Sequence, residues 1–101
     1  MSGFMDIDRQ DALTMVGKGW AGLIVELYDE KPEGVRVLQV KEKFGGLRFY
    51  VGEAPSHYLS LIDEAEKCSL HICEQCGKDG KLRKDRSWMV TLCDKCNGKE
   101  I

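Results

Sequence analysis

The chain has 101 residues and a mass of 11.4 kDa, with 43% hydrophobic and 32% charged residues. These figures exclude a largely disordered, collagen-like or coiled-coil protein and leave room for one modest core. Fifteen Lys and Arg against seventeen Asp and Glu give a formal charge of −2, so the whole-chain balance supplies no long-range attraction to nucleic-acid phosphates.

The longest apolar stretches, such as residues 21–25, fall far short of the roughly 18–20 residues that span a bilayer, so no membrane partner is expected. The N-terminus is acidic where a signal peptide is basic and has no apolar h-region, which points to a cytoplasmic location. Charge is uneven along the chain: residues 1–67 carry 8 basic and 12 acidic side chains (−4), and residues 68–101 carry 7 and 5 (+2).

Residues 8–28 read as helical, because Leu13, Val16, Trp20, Leu23, Ile24 and Leu27 recur at spacings of three and four. Gly17, Gly19 and Gly22 weaken a helix interior, so a break near residues 16–19 is expected, with firmer helix over 20–30. Pro32 and Gly34 then end it in a turn. Residues 35–41 and 47–51 are rich in β-branched, aliphatic and aromatic side chains and flank a turn at 42–46, the pattern of an antiparallel hairpin. Leu47, Phe49 and Val51 are expected to face the core, Arg48 and Tyr50 the other side, and Phe44 to anchor the turn. After Pro55 a second helix is expected to about Cys68, with Tyr58, Leu59, Leu61, Ile62 and Ala65 as its apolar face.

The most specific pattern is Cys73-Glu-Gln-Cys76-Gly77 followed, after sixteen intervening residues, by Cys93-Asp-Lys-Cys96. Two CxxC pairs at this separation match a four-thiolate zinc site, because a two-residue spacer lets one tight turn aim both sulfurs at one ion about 2.3 Å away. The alternatives are two disulfides or unlinked buried thiols; without a secretion signal the pattern favours one structural Zn²⁺ held by Cys73, Cys76, Cys93 and Cys96. A complete thiolate set leaves no position for substrate or water, so the metal is expected to hold the fold and not to catalyse. Cys68 is then a surplus residue at a helix end, and His71 is a less favoured substitute ligand. His57 reads as a capping or solvated residue. No nucleophile and base are spaced as a catalytic set, so no enzyme is expected.

Between the cysteine pairs, residues 81–84 and 88–92 are expected to form a hairpin around Asp85-Arg86-Ser87. The second pair then sits either at the start of a short helix, as in a treble clef, or on a second knuckle, as in a zinc ribbon; the run Thr91-Leu92-Cys93-Asp94 favours the first. Lys41, Lys43, Arg48 and Tyr50 are candidates for a basic and aromatic surface on the first hairpin, and Lys81, Arg83, Lys84 and Arg86 for a second basic stretch on the finger, together with Lys78. Glu26, Asp29, Glu30 and Glu33 gather at the end of the first helical region as a candidate acidic face.

Gly19-Trp20, the KEKFGGLRFY run, CEQCG and the TLCDxC pair together resemble a group of small uncharacterised bacterial and phage or prophage zinc-finger proteins, over roughly residues 20–96. The resemblance implies zinc and a bacterial cell, phage-encoded genes included, and a replaceable residue at Cys68, since similar members carry Ser near that position. It implies no chemistry.

The expected architecture is therefore α+β. Residues 1–67 form helix, hairpin and helix, and residues 68–101 a four-cysteine zinc finger docked on them, the whole as one compact domain. The expected role is a noncatalytic protein-interaction or inhibitor module of phage or mobile-element type that blocks a host nucleic-acid-handling or defence protein. Nucleic-acid binding as an accessory or regulatory zinc finger is the alternative.

Overall fold

The computed structural model describes residues 6–84 and 88–98, and it is α+β. Helix α1 (Arg9–Met15) starts where the Asp8 carboxylate accepts from the Asp11 amide, a side-chain cap of the first-turn donors. The expected break follows: Val16 is extended, Lys18–Trp20 form one 3-10 turn, and helix α2 (Ala21–Asp29) continues from it. Trp20, Ile24 and Leu27 are buried along one face, with Leu13, Val16 and Leu23 packed against the same core.

Strands β1 (Val37–Lys43) and β2 (Gly46–Val51) pair antiparallel, with Val40 opposite Phe49 and Lys41 opposite Arg48. The hairpin turn is tighter than the sequence pattern suggests. Glu42 and Lys43 belong to the strand, and only Phe44 and Gly45 form the loop, both with positive φ (54° and 85°). Two left-handed residues match the right-handed twist of the strands they join. Leu47 and Phe49 are buried as expected, while Tyr50 faces out.

Helix α3 (Ser56–Ser69) covers the open edge of β2 with side chains in place of a third strand. The Leu47 amide donates to Ser69 Oγ (2.9 Å), the Phe49 amide donates to Glu66 Oε2 (2.9 Å), and the Ser69 hydroxyl donates to the Glu66 carbonyl (2.6 Å). An edge strand with its donors satisfied this way offers no template for further pairing. On the opposite edge the Ile7 amide donates to the Val37 carbonyl and the Val37 amide to Asp6. Tyr58, Ile62 and Ala65 face the core; Leu59, expected among them, is 47% exposed, because its position falls one step outside the buried stripe.

The C-terminal part has its own small sheet, β3 (Lys81–Arg83) with β4 (Val90–Leu92), and a last helix, α4 (Asp94–Gly98). The turn expected at residues 85–87, with the candidate Arg86, lies outside the described residues. Long-range hydrogen bonds cross from this part to the rest. The buried Trp20 indole N–H donates to the Ile72 carbonyl (2.9 Å), the Gly19 amide to the Glu74 carbonyl (2.8 Å), and the buried Thr91 hydroxyl to the Gly45 carbonyl (2.6 Å).

Candidate metal centre

The loop carrying the first pair leaves α3 and closes on itself through a bridge between Ile72 and Asp79. Inside it the Cys73 amide donates to the Lys78 carbonyl (2.7 Å) and the Gly77 amide to the Cys73 carbonyl (2.9 Å), with Gly77 at φ 85°. A left-handed residue lets the chain double back here, and glycine adopts it without strain. The second pair sits where β4 runs directly into α4: Cys93 lies between them and Cys96 is in the first turn. The Cys96 amide points at Cys93 Sγ (3.4 Å) and the Asn97 amide donates to the Cys93 carbonyl (2.9 Å), so a helix start is turned toward a sulfur.

These turns bring Cys73, Cys76, Cys93 and Cys96 together with all four Sγ atoms within 4.8 Å of one another. Sulfurs at tetrahedral corners about 2.3 Å from a central ion lie about 3.8 Å apart. Cys76 and Cys93 are separated by 3.6 Å, close to that edge and far from the ~2.05 Å of a disulfide. The four residues are thus positioned to hold a metal ion. Cys73 and Cys96 are buried, Cys93 is half-buried and Cys76 is exposed, so one edge of the cluster faces solvent.

The electrostatics of the thiols make the same point. Burial pushes Cys73 up, but the backbone amides of Cys93, Cys76 and Gln75 and the Cys76 side chain outweigh it and hold the thiol down at about 6. Cys93 is lowered chiefly by the Cys96 amide. Cys96 goes the other way, pushed up to about 12 by its hydrogen bond to Cys93, by burial and by the neighbouring thiols. Thiolates gathered this closely repel one another, and a divalent ion at the centre would compensate their charge.

Arg83 supports the cluster from behind. Its guanidinium donates twice to the Leu92 carbonyl (3.1 and 2.9 Å) and once to Asp94 (2.8 Å), and its side chain is 16% exposed. The Arg83 hydrogen bonds and charge hold the Asp94 carboxyl below its ordinary range. Arg83, expected on an open basic surface, is therefore a brace for the β4–α4 junction, whereas Lys81 and Lys84 are exposed. His71 and Cys68 are both exposed and neither joins the cluster; His57 is exposed in the first turn of α3.

On the first hairpin, Lys41 and Lys43 alternate along β1 and Arg48 and Tyr50 along β2, which places the four on one face. Lys41 Nζ lies 5.9 Å from the centre of the Tyr50 ring, and Lys43 Nζ 5.5 Å from that of Phe44. Arg48 is engaged with Glu66 of α3 (3.8 Å). Phe44 is not an anchor for the turn but stands 62% exposed at its tip. The turn is fastened instead by Thr91 and by the Glu42 carboxylate, which accepts from the Gly45 amide (2.7 Å). A Cβ added at Gly45 would lie 3.3 Å from Val90 N and 3.4 Å from the Met89 carbonyl carbon. That close approach sets the turn against the start of β4; Trp88, two residues before that strand, is 69% exposed. Sequence reasoning missed the exposure of Phe44; the only signal was a bulky residue where a two-residue turn favours Asn or Gly.

Among the described residues no helix is long and apolar enough to cross a membrane. Comparison with known proteins gives no match to a family model, to a curated protein or to a solved structure.

Proposed function

We propose that this chain is a noncatalytic protein-interaction or inhibitor module, stabilised by one structural zinc ion at Cys73, Cys76, Cys93 and Cys96. Zinc is the ordinary occupant of a four-thiolate tetrahedron, and four protein ligands leave it no open position for chemistry. The direct passage of β4 into α4 favours a treble-clef-like finger over a ribbon. The resemblance to phage and prophage proteins favours a mobile-element origin and a host nucleic-acid-handling or defence protein as the target.

The observation that carries the interaction reading is Phe44. A bulky residue with positive φ costs on the order of 1 kcal/mol or more, and this one is left 62% exposed. Held on a turn fastened by Glu42 and Thr91, it is a preorganised aromatic anchor of the kind that dominates protein interfaces. Zinc-loaded protein immobilised on a support is expected to retain a partner from bacterial lysate, and F44A and W88A to lose it with the fold intact by circular dichroism. Retention unchanged in both variants overturns the reading.

Nucleic-acid binding is the second reading, favoured by the lysine-over-aromatic pairs of the hairpin face, which suit phosphates and stacked bases. It requires binding to labelled DNA or RNA at about 50 mM salt that collapses by about 200 mM. The protein-partner reading expects none.

A further inference from the structure

A second surface, which includes neither Phe44 nor Trp88, lies between α2 and α3. Helix α2 with its C-cap contributes Leu23, Glu26, Leu27 and Glu30, and α3 contributes Leu61, Glu64, Ala65 and Cys68. Both sets have the spacing i, i+3, i+4, i+7, so each is one continuous stripe, and the two stripes face each other across a groove of about 120 Å³. Leu23 and Leu61 are half-buried and form the accessible apolar floor, with Leu27 and Ala65 buried in the core beneath them. The charged residues on the rim are Glu26, Glu30 and Glu64, all of one sign. Among the described residues, the ion pairs join Arg9 to Asp29, Arg48 to Glu66, Lys67 to Asp63 and Arg83 to Asp94. None engages a rim carboxylate.

We infer that this groove receives a basic amphipathic helix of the partner protein, its leucine-like stripe on the floor and its Lys or Arg flanks against Glu26, Glu30 and Glu64. Two helical stripes meeting at an apolar seam form a seat for a third helix, read at the same i, i+3, i+4, i+7 spacing. Charge decides the class of occupant. A second copy of this chain would set like carboxylates against one another, whereas a basic segment neutralises all three at once. Such segments line nucleic-acid-binding proteins, so the inference rests on the protein-partner reading and names the partner's chemistry.

The test uses zinc-loaded full-length protein and a fluorescein-labelled helical peptide of about 14 residues, long enough to overlie the stripe at 1.5 Å per residue, with Leu at the stripe positions and Lys on both flanks. Binding by fluorescence anisotropy is expected. It should weaken roughly tenfold in the E26Q/E30Q/E64Q variant and stay unchanged in E33Q or E53Q, whose carboxylates lie off the groove. Cys68, exposed at the groove, gives a second readout: iodoacetamide labelling mapped to it by mass spectrometry should slow when the Leu/Lys peptide is bound.

Equal binding of a peptide with Glu in place of Lys, or of a scrambled Leu/Lys peptide, overturns the inference. So does binding that leaves Cys68 labelling unchanged, or a dimer of the unliganded chain in which Cys68 is already protected. Because the peptide assay needs no host partner and spares Phe44 and Trp88, its failure leaves the lysate result standing, and failure of the lysate result leaves the groove standing.

Discussion

Gly19 sits where the helical region meets the metal-binding loop, and replacing it with alanine measures how tightly the two are joined. A Cβ there would come within 2.7 Å of Gly77 N and 2.6 Å of the Glu74 carbonyl carbon, and closer still to the Cys73 carbonyl oxygen. All three are backbone atoms of the loop that holds the first pair of sulfurs, so no side chain can swing aside. Overpacking of this kind costs about 1–3 kcal/mol. The loop must also retreat from the Gly19 amide, whose 2.8 Å bond to Glu74 contributes about 1 kcal/mol. Against this, Gly→Ala removes unfolded-chain entropy worth about 0.4–1 kcal/mol. G19A is therefore expected to lose about 2–3 kcal/mol.

G22A is the control, because nothing lies within 4 Å of a Cβ at Gly22 in α2; it should be neutral or stabilising by up to about 1 kcal/mol. Urea unfolding of the zinc-saturated proteins reads both, and competition with a chromophoric chelator reads the metal affinity. If the strain falls on the metal loop, a 2 kcal/mol loss in G19A appears as about thirtyfold weaker zinc binding. Equal stability of G19A and G22A, or destabilised G19A with unaltered zinc affinity, refutes the argument.

Zinc removal by a chelator should abolish the ordered C-terminal part and expose Trp20, read by its red-shifted fluorescence, since structural zinc contributes on the order of 10–16 kcal/mol. Protons compete for the same sulfurs, so zinc affinity and the stability it supplies should fall together as pH falls, read by urea unfolding of the zinc-saturated protein across pH; stability that does not change with pH would refute thiolate ligation. Ser69 is fully buried and holds the Leu47 amide; S69A should cost about 1–3 kcal/mol in urea unfolding, because a buried donor is left without a partner. The buried Tyr58 hydroxyl donates to the Leu27 carbonyl (2.6 Å) near the end of α2, and burial pushes its pKa from 10.0 to about 12. The unfolded chain therefore ionises first, and stability that is fully present below pH 10 is lost as pH rises to about 12. Y58F should be less stable at pH 7 and show a shallower alkaline loss, with Tyr28, also raised to about 12, supplying what remains.

The helices, the hairpin and the cysteine pairs were legible because each rests on a local regularity. Trp20, Ile24 and Leu27 repeat at helical spacing, Leu47 and Phe49 alternate, and each CxxC needs only one turn. The break near Gly17 was legible as a weakness, but its cause was not: Gly17 and Gly19 are where the chain lies against the Cys73–Gly77 loop, more than fifty residues away. Arg83 looked like free positive charge because nothing in its neighbourhood in sequence announces the Leu92 carbonyl. Phe44 looked like an anchor because aromatic residues in turns are usually buried. What the pattern of residues could not carry were contacts between distant segments, and those decide which polar and aromatic groups remain available to a partner.

The same long-range contacts tie the metal to a surface it does not touch. Thr91 lies two residues before Cys93, and it is held from both sides: its carbonyl accepts from the Glu74 amide (3.0 Å), inside the first CxxC, and its hydroxyl donates to Gly45. Metal binding fixes Cys73, Cys76, Cys93 and Cys96 relative to one another, which fixes Glu74 against Thr91, which in turn fastens the turn bearing Phe44. An exposed aromatic contributes most to binding when its backbone is already in the bound conformation, since the ordering cost is then met in the fold. Zinc in a closed four-thiolate site would therefore control recognition by preorganising the hairpin tip. T91V, which keeps shape and burial but removes the hydroxyl, should weaken partner retention through Phe44 while leaving zinc affinity nearly unchanged; retention equal to wild type would show that the turn is rigid without the metal-linked clamp.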